Sequence, residues 1–108
     1  MGRGKPLYEL NGKYFDWDTK KNTININKHG ISFIEAASVF SDEAAKYYDD
    51  DIHSLDEERY VVIGKSRRLN ILIVCHCYKD SNSVVRLISA RKADEDEIAM
   101  YEEEDLYE

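Results

Sequence analysis

The stretch Val84-Val85-Arg86-Leu87-Ile88-Ser89-Ala90-Arg91-Lys92 sets the frame for the whole chain. Its β-branched and aliphatic residues suit a strand, and it runs straight into Asp94-Glu95-Asp96-Glu97. Asp94 can cap a helix there, with the acids of the first turn facing the positive end of its macrodipole. Upstream, residues 69–79 form another apolar, β-branched run, and residues 58–64 alternate Arg59, Val61 and Ile63 against Tyr60 and Val62. The connections 65–68 and 80–83 have hairpin length, so these three strands should form an antiparallel meander. A fourth strand is expected over 44–48, ahead of the acidic loop Asp49-Asp50-Asp51-Ile52-His53-Ser54.

The N-terminal half reads as helical cover for that sheet. Ser32 with Glu35 three residues on has the pattern of a capping box, and Phe33, Ala36, Ala37 and Phe40 fall at i, i+3, i+4 and i+7, so one face is buried. Asp18 can cap an earlier helix over 19–29, with Gly30 placed to leave it through positive φ. A strand competes for the same segment, because Asn22-Thr23-Ile24-Asn25-Ile26-Asn27 alternates and contains poor helix formers. A short strand over 13–17 precedes it. The expectation is a compact α+β single domain, with an antiparallel sheet of about four strands, two N-terminal helices and one C-terminal helix.

Length and composition narrow the possibilities. A chain of 108 residues holds one modest core. The formal charge of −7 speaks against a nucleic-acid partner, but its distribution does not: residues 94–108 hold nine of the 22 acids and none of the 15 bases, leaving 15 bases against 13 acids, a net of +2, in residues 1–93. Three basic clusters supply it, namely Lys20, Lys21 and Lys28; Lys65, Arg67 and Arg68; and Arg86, Arg91 and Lys92. The longest uncharged run, residues 69–78, is about half of what a bilayer-crossing helix needs, so no membrane association is expected. Nothing before Lys13 resembles an export signal, which makes the cytoplasm the expected site. Cys75 and Cys77 lie two apart in a strand, with His76 on the other face, so they read as buried reduced thiols and no metal is expected.

Four collinear segments carry a family pattern: Phe15-Asp16-Trp17-Asp18 with Lys20-Lys21-Asn22 and Asn25; Lys28-His29-Gly30-Ile31-Ser32-Phe33 with Glu35-Ala36 and Val39-Phe40; Glu57-Glu58-Arg59-Tyr60 with Ile63-Gly64; and Arg86-Leu87-Ile88-Ser89-Ala90-Arg91-Lys92-Ala93 with Tyr101. Together they resemble the BrnT family, toxins of bacterial type II toxin-antitoxin systems. The resemblance implies a RelE-like fold over residues 14–101, with residues 1–13 an N-terminal extension and 102–108 an acidic tail. It further implies a ribonuclease that needs no metal or other cofactor, inhibits growth and translation, and is held inactive by a BrnA-like antitoxin. Operator DNA would be contacted only indirectly, through that antitoxin. Two departures stand out: Lys79 occupies a position that is commonly Arg, and the acidic tail is unusual for a protein that cleaves RNA.

Metal-independent RNA cleavage builds charge on the phosphate as the 2′-hydroxyl attacks, so fixed cations are the main requirement. Arg59 and Arg86, on different strands of one sheet, can clamp that phosphate if the register brings them together. Arg91 and Lys79 stand near strand ends, where they can reach the same anion. His53 and His76 titrate in the right range, but His76 sits in the most apolar strand and reads as a structural residue, leaving His53 as the candidate histidine and Lys28, Lys79 or Tyr101 as the proton carriers if no histidine acts. Lys28, Lys65, Arg67, Arg68, Lys92 and Tyr101 complete the expected RNA contacts. Two other readings stay open. Each arginine can instead belong to a salt bridge within the chain, Arg59 with Glu57 or Glu58 and Arg86 with Asp94 or Glu97. The whole can also be an inactive interaction module whose guanidiniums meet an antitoxin's carboxylates.

Overall fold

The computed structural model describes residues 8–51 and 57–103. The order of elements is β1 (Tyr8–Leu10), β2 (Lys13–Asp16), α1 (Thr19–His29), α2 (Phe33–Ala37) continued by a 3₁₀ turn (Ser38–Ser41), β3 (Lys46–Asp49), β4 (Tyr60–Lys65), β5 (Ile71–Lys79), β6 (Val84–Lys92) and α3 (Glu95–Glu102). All strands join one six-stranded sheet in the order β1-β2-β6-β5-β4-β3.

The expected α+β domain with its β4-β5-β6 meander is present, but the sheet is larger than four strands and is mixed. β1 and β2 form a hairpin on Asn11 and Gly12, both at positive φ (53° and 82°), which is the turn geometry that matches strand twist. β2 then lies parallel to β6, setting Phe15 beside Val85 and Asp16 beside Arg86. β2 is the short strand expected over 13–17, ending one residue earlier; its parallel pairing and β1 were not expected, because Lys13-Tyr14-Phe15-Asp16 places only Phe15 in the core.

One face of the sheet is covered by α1, α2 and the 3₁₀ turn. Phe15, Phe33, Ala36, Ala37, Val39, Val62, Leu72, Val74, Leu87 and Ala90 are buried there. Burying each large apolar side chain contributes about 1.5–3 kcal/mol, so this layer carries the fold. Gly64 lets the layers touch: a Cβ there would lie 3.1 Å from the Val39 Cβ and 3.2 Å from the Ala45 Cβ.

The capping box at Ser32 closes on one side only. Ser32 Oγ accepts from the Glu35 N–H at 3.0 Å, while the Glu35 carboxylate turns inward, accepting from Ser66 Oγ at 2.6 Å and Asn70 Nδ2 at 2.8 Å. That buried carboxylate ties α2 to the β4–β5 connection rather than capping its own helix. At α1 the helical reading holds, with Asp18 accepting from Lys20 N–H at 2.8 Å and Gly30 leaving at φ 74°. Asn25 is its one fully buried residue; Ile24 and Ile26 are 59% and 43% exposed.

His76 is a core residue. It is fully buried, its Nδ1 lies 3.2 Å from the Val74 carbonyl, and the rings of Phe40, Tyr47, Tyr60 and Tyr78 surround it. Burial pushes its pKa down to about 4. Because unfolded histidine binds its proton near pH 6.5, the unfolded chain takes up the proton first as pH falls, and the native state loses roughly 3 kcal/mol between about pH 6.5 and pH 4. Denaturant unfolding across that range should show the slope, and His76→Phe should flatten it; an unchanged slope would place the titration elsewhere.

Candidate functional site

The site is built on the sheet face opposite the helices, and a single extra residue assembles it. The β5–β6 register runs Val74↔Ala90 and Cys75↔Ser89, then shifts to His76↔Leu87 and Cys77↔Arg86, leaving Ile88 unmatched. Arg86 and Arg91 are five residues apart, a spacing that puts side chains on opposite faces of a regular strand. The bulge restores the parity, so both arginines share the face away from the helices while Leu87 and Ala90 share the core.

The same face collects Arg59. β4 pairs with β5 through Tyr60↔His76, and continuing that register by one residue sets Arg59 opposite Cys77, whose partner on the other side is Arg86. Arg59, Cys77 and Arg86 thus form a row across three strands, with the arginine Cα atoms about 10 Å apart. Cys77 feels both guanidiniums, which oppose the upward push of burial and of Glu57 on its thiol. Lys79 stands on the same face two residues further along β5.

Each of these cations meets a carboxylate of its own chain. Arg86 Nη1 donates to Asp16 Oδ1 at 3.1 Å, and Lys79 Nζ lies 3.6 Å from Asp16 Oδ2. Arg59 Nε lies 3.6 Å from Glu57 Oε2. Arg91 makes a bidentate pair with Glu97 at 2.8 and 2.9 Å, which holds its guanidinium protonated and the Glu97 carboxyl below the usual range. The expected pairing of Arg59 with Glu57 is present; Arg86 meets Asp16, not Asp94 or Glu97. All four cationic side chains are between 31% and 44% exposed, so these are surface-like pairs worth about 0–1 kcal/mol each and an incoming anion can exchange with them. Around Asp16 the cations outnumber the carboxylates, and an anion is best accommodated there.

Beside the row, a cavity of about 530 Å³ has Val61, Ile63, Ile73 and Cys75 in its lining, with Arg59, Arg91, Asp49 and Asp50 among its polar members. α3 borders it through Met100 and Glu97. No residue of α3 is fully buried, and the helix is held by Arg91, by Lys46 Nζ donating to the Met100 and Glu103 carbonyls at 2.7 Å, and by Tyr101.

Several expected contacts do not join the row. Tyr101 donates to Asp42 Oδ2 at 2.7 Å and its phenol is pushed up to about 12, by burial first and then by that hydrogen bond, so it docks α3 and keeps its proton. Lys65, Arg67, Arg68 and Lys92 lie at the other end of the strands, roughly 20 Å from Arg59 by strand rise, and Lys28 is in the last turn of α1. His53 lies outside the described residues. Asp16 was missed as a site residue; the signal was an acid between the buried Phe15 and Trp17, with no neighbour of its own to pair with.

Among the described residues no group of three His, Cys, Asp or Glu is placed to hold a metal ion, and no helix is long and apolar enough to cross a membrane. No curated protein matches the chain. The crystal structure of the Brucella abortus ribonuclease toxin BrnT is similar, with a TM-score of 0.56 and 27% identity over 73% of this chain and 94% of that one. The model of a family described as the ribonuclease toxin BrnT of type II toxin-antitoxin systems matches residues 17–97, which include β6 and the Asp94–Glu97 cap. On the strength of that match across most of the domain, the chain belongs to the BrnT family of type II toxin-antitoxin toxins.

Proposed function

We propose that the chain is a metal-independent endoribonuclease whose scissile phosphate binds at Arg86, Lys79 and Arg59. The observation that carries this reading is the register that lines up Arg59 and Arg86 on either side of Cys77, with Lys79 beyond. The two guanidiniums offer paired donors to the phosphate oxygens and Lys79 a point charge, which stabilises the charge that develops as the 2′-oxygen bonds to phosphorus and the P–O5′ bond breaks. Once the phosphate takes over Arg86 and Lys79, the Asp16 carboxylate is left beside it to accept the 2′-proton. The Lys79 ammonium is within the same cluster to protonate the departing 5′-oxygen, and His53 is the alternative carrier on chemical grounds. Arg91 serves the rim, and Lys28, Lys65, Arg67, Arg68 and Lys92 guide the rest of the strand. The partner that silences the toxin in the cytoplasm is read as a BrnA-like antitoxin, which alone contacts operator DNA, and the architecture as RelE-like with added strands.

The purified chain should cut single-stranded RNA in the presence of a chelator, leaving 2′,3′-cyclic phosphate and 5′-hydroxyl ends. RNA left intact with and without added divalent metal, or cut only when metal is added, would overturn the proposal. A second reading, an inactive module that only binds its partner, draws on the carboxylate found against every one of the four cations.

A further inference from the structure

The end of the sheet that carries Lys79 has a second feature, on the face away from the arginines. Tyr47, Tyr60 and Tyr78 close around His76, with Tyr78 and Tyr47 edge-on to the imidazole at 86° and 85° and Tyr60 and Tyr78 centroids 5.5 Å apart. Tyr47 and Tyr78 are 49% and 38% exposed, far more than a core cluster requires. Together with Asn82 the three tyrosines line a cavity of about 380 Å³, and Tyr47, Tyr78 and Asn82 recur in an adjoining one of about 330 Å³ that includes Lys13. Neither lining contains a carboxylate, although the chain as a whole is acidic at −7. Asn82 is held toward this corner by a turn in which Asp80, Ser81 and Asn82 all adopt positive φ.

We propose that this tyrosine slot binds an unpaired nucleobase of the RNA strand, packed against both Tyr47 and Tyr78 and hydrogen-bonded at its edge by the Asn82 amide. Resting on the phosphate reading above, it adds a base contact at the opposite face. Tyr78 and Lys79 are consecutive at the end of β5, so their side chains leave on opposite faces, and a strand passing round that end meets the cation and the ring in turn. Neutral, half-exposed rings with an adaptable amide suit a base, whose stacking on aromatics is tolerant of sequence; the Glu58 carboxylate nearby accepts from the Tyr60 hydroxyl at 2.9 Å. His76, buried behind the rings and uncharged at neutral pH, adds no competing cation.

The test is fluorescence anisotropy with a labelled, uncleavable 2′-O-methyl oligonucleotide, alongside one built of abasic sugars throughout. Tyr47→Ala and Tyr78→Ala should each weaken binding of the first about tenfold and leave the abasic one unchanged. Tyr47→Phe and Tyr78→Phe, which keep the ring, should stay within about twofold, and unfolding midpoints will show that the alanine variants are folded. Parent-like binding by the alanine variants while Arg86→Ala binds weakly would refute the slot and leave the phosphate site standing. Equal losses on both oligonucleotides would also refute it. Failure of the parent to bind either one would remove the phosphate reading and the slot with it.

Discussion

Arg86→Ala should lower the rate of RNA cleavage by roughly 10²- to 10³-fold, the usual cost of deleting one group that stabilises charge in a transition state. Arg86 is the central cation: it is the Cα partner of both Asp16 on β2 and Cys77 on β5, and it shares the Asp16 carboxylate with Lys79. Its pair with Asp16 is part-exposed, so the fold should lose at most about 1 kcal/mol. Single-turnover cleavage with saturating protein, run beside thermal unfolding, separates the two effects. Arg86→Lys should recover only part of the rate, because an ammonium lacks the fork. Parent-like turnover by a folded Arg86→Ala protein would show that the phosphate binds elsewhere.

The largest structural effect is expected at Asn25. Its Nδ2 donates to the Ile31 carbonyl at 2.9 Å and the Ala90 carbonyl at 2.7 Å, while its Oδ1 accepts from the Ala90 N–H at 3.1 Å. Asn25→Ala strands three buried backbone groups, and at about 1–3 kcal/mol for each unmet group the loss should be roughly 4 kcal/mol. Because α1 buries nothing else completely, it should detach from β6 first. Hydrogen exchange at α1 amides and the denaturant midpoint would report this, and a loss below about 1 kcal/mol would mean that water satisfies the groups.

Asn25 also explains where the sequence was hard to read. The alternation of Ile24, Asn25 and Ile26 pointed to a strand because apolar residues were assumed to face inward, whereas here the asparagine faces inward and both isoleucines are exposed. α2 was legible because Phe33, Ala36, Ala37 and Phe40 follow the ordinary rule, and α3 because Asp94 and Glu97 cap each other reciprocally. β1 was not, and neither was the place of β2 in the sheet, since β2 is supported by a parallel neighbour some 70 residues away, as in the bond between Asp16 and Arg86. At the site, Arg59 and Arg86 could be chosen by chemistry, but their alignment depends on register, which alternation alone does not fix. Arg67 and Arg68 looked equivalent by charge and lie at the far end of the strands.

Ile88 is not among the residues proposed to hold the phosphate, yet its place outside the ladder decides which way its neighbours point. Were Ile88 drawn into the ladder instead of standing outside it, everything after Leu87 would turn by half a pleat, and the guanidinium that now meets Glu97 would be driven to the core face opposite Leu72. The two arginines therefore need an even count of ladder steps between them, not a particular side chain at position 88. A regular strand without Ile88 would meet the same condition, with Arg86 and Arg91 four residues apart, whereas one with every residue in the ladder would set the arginine face and the hydrophobic interior against each other.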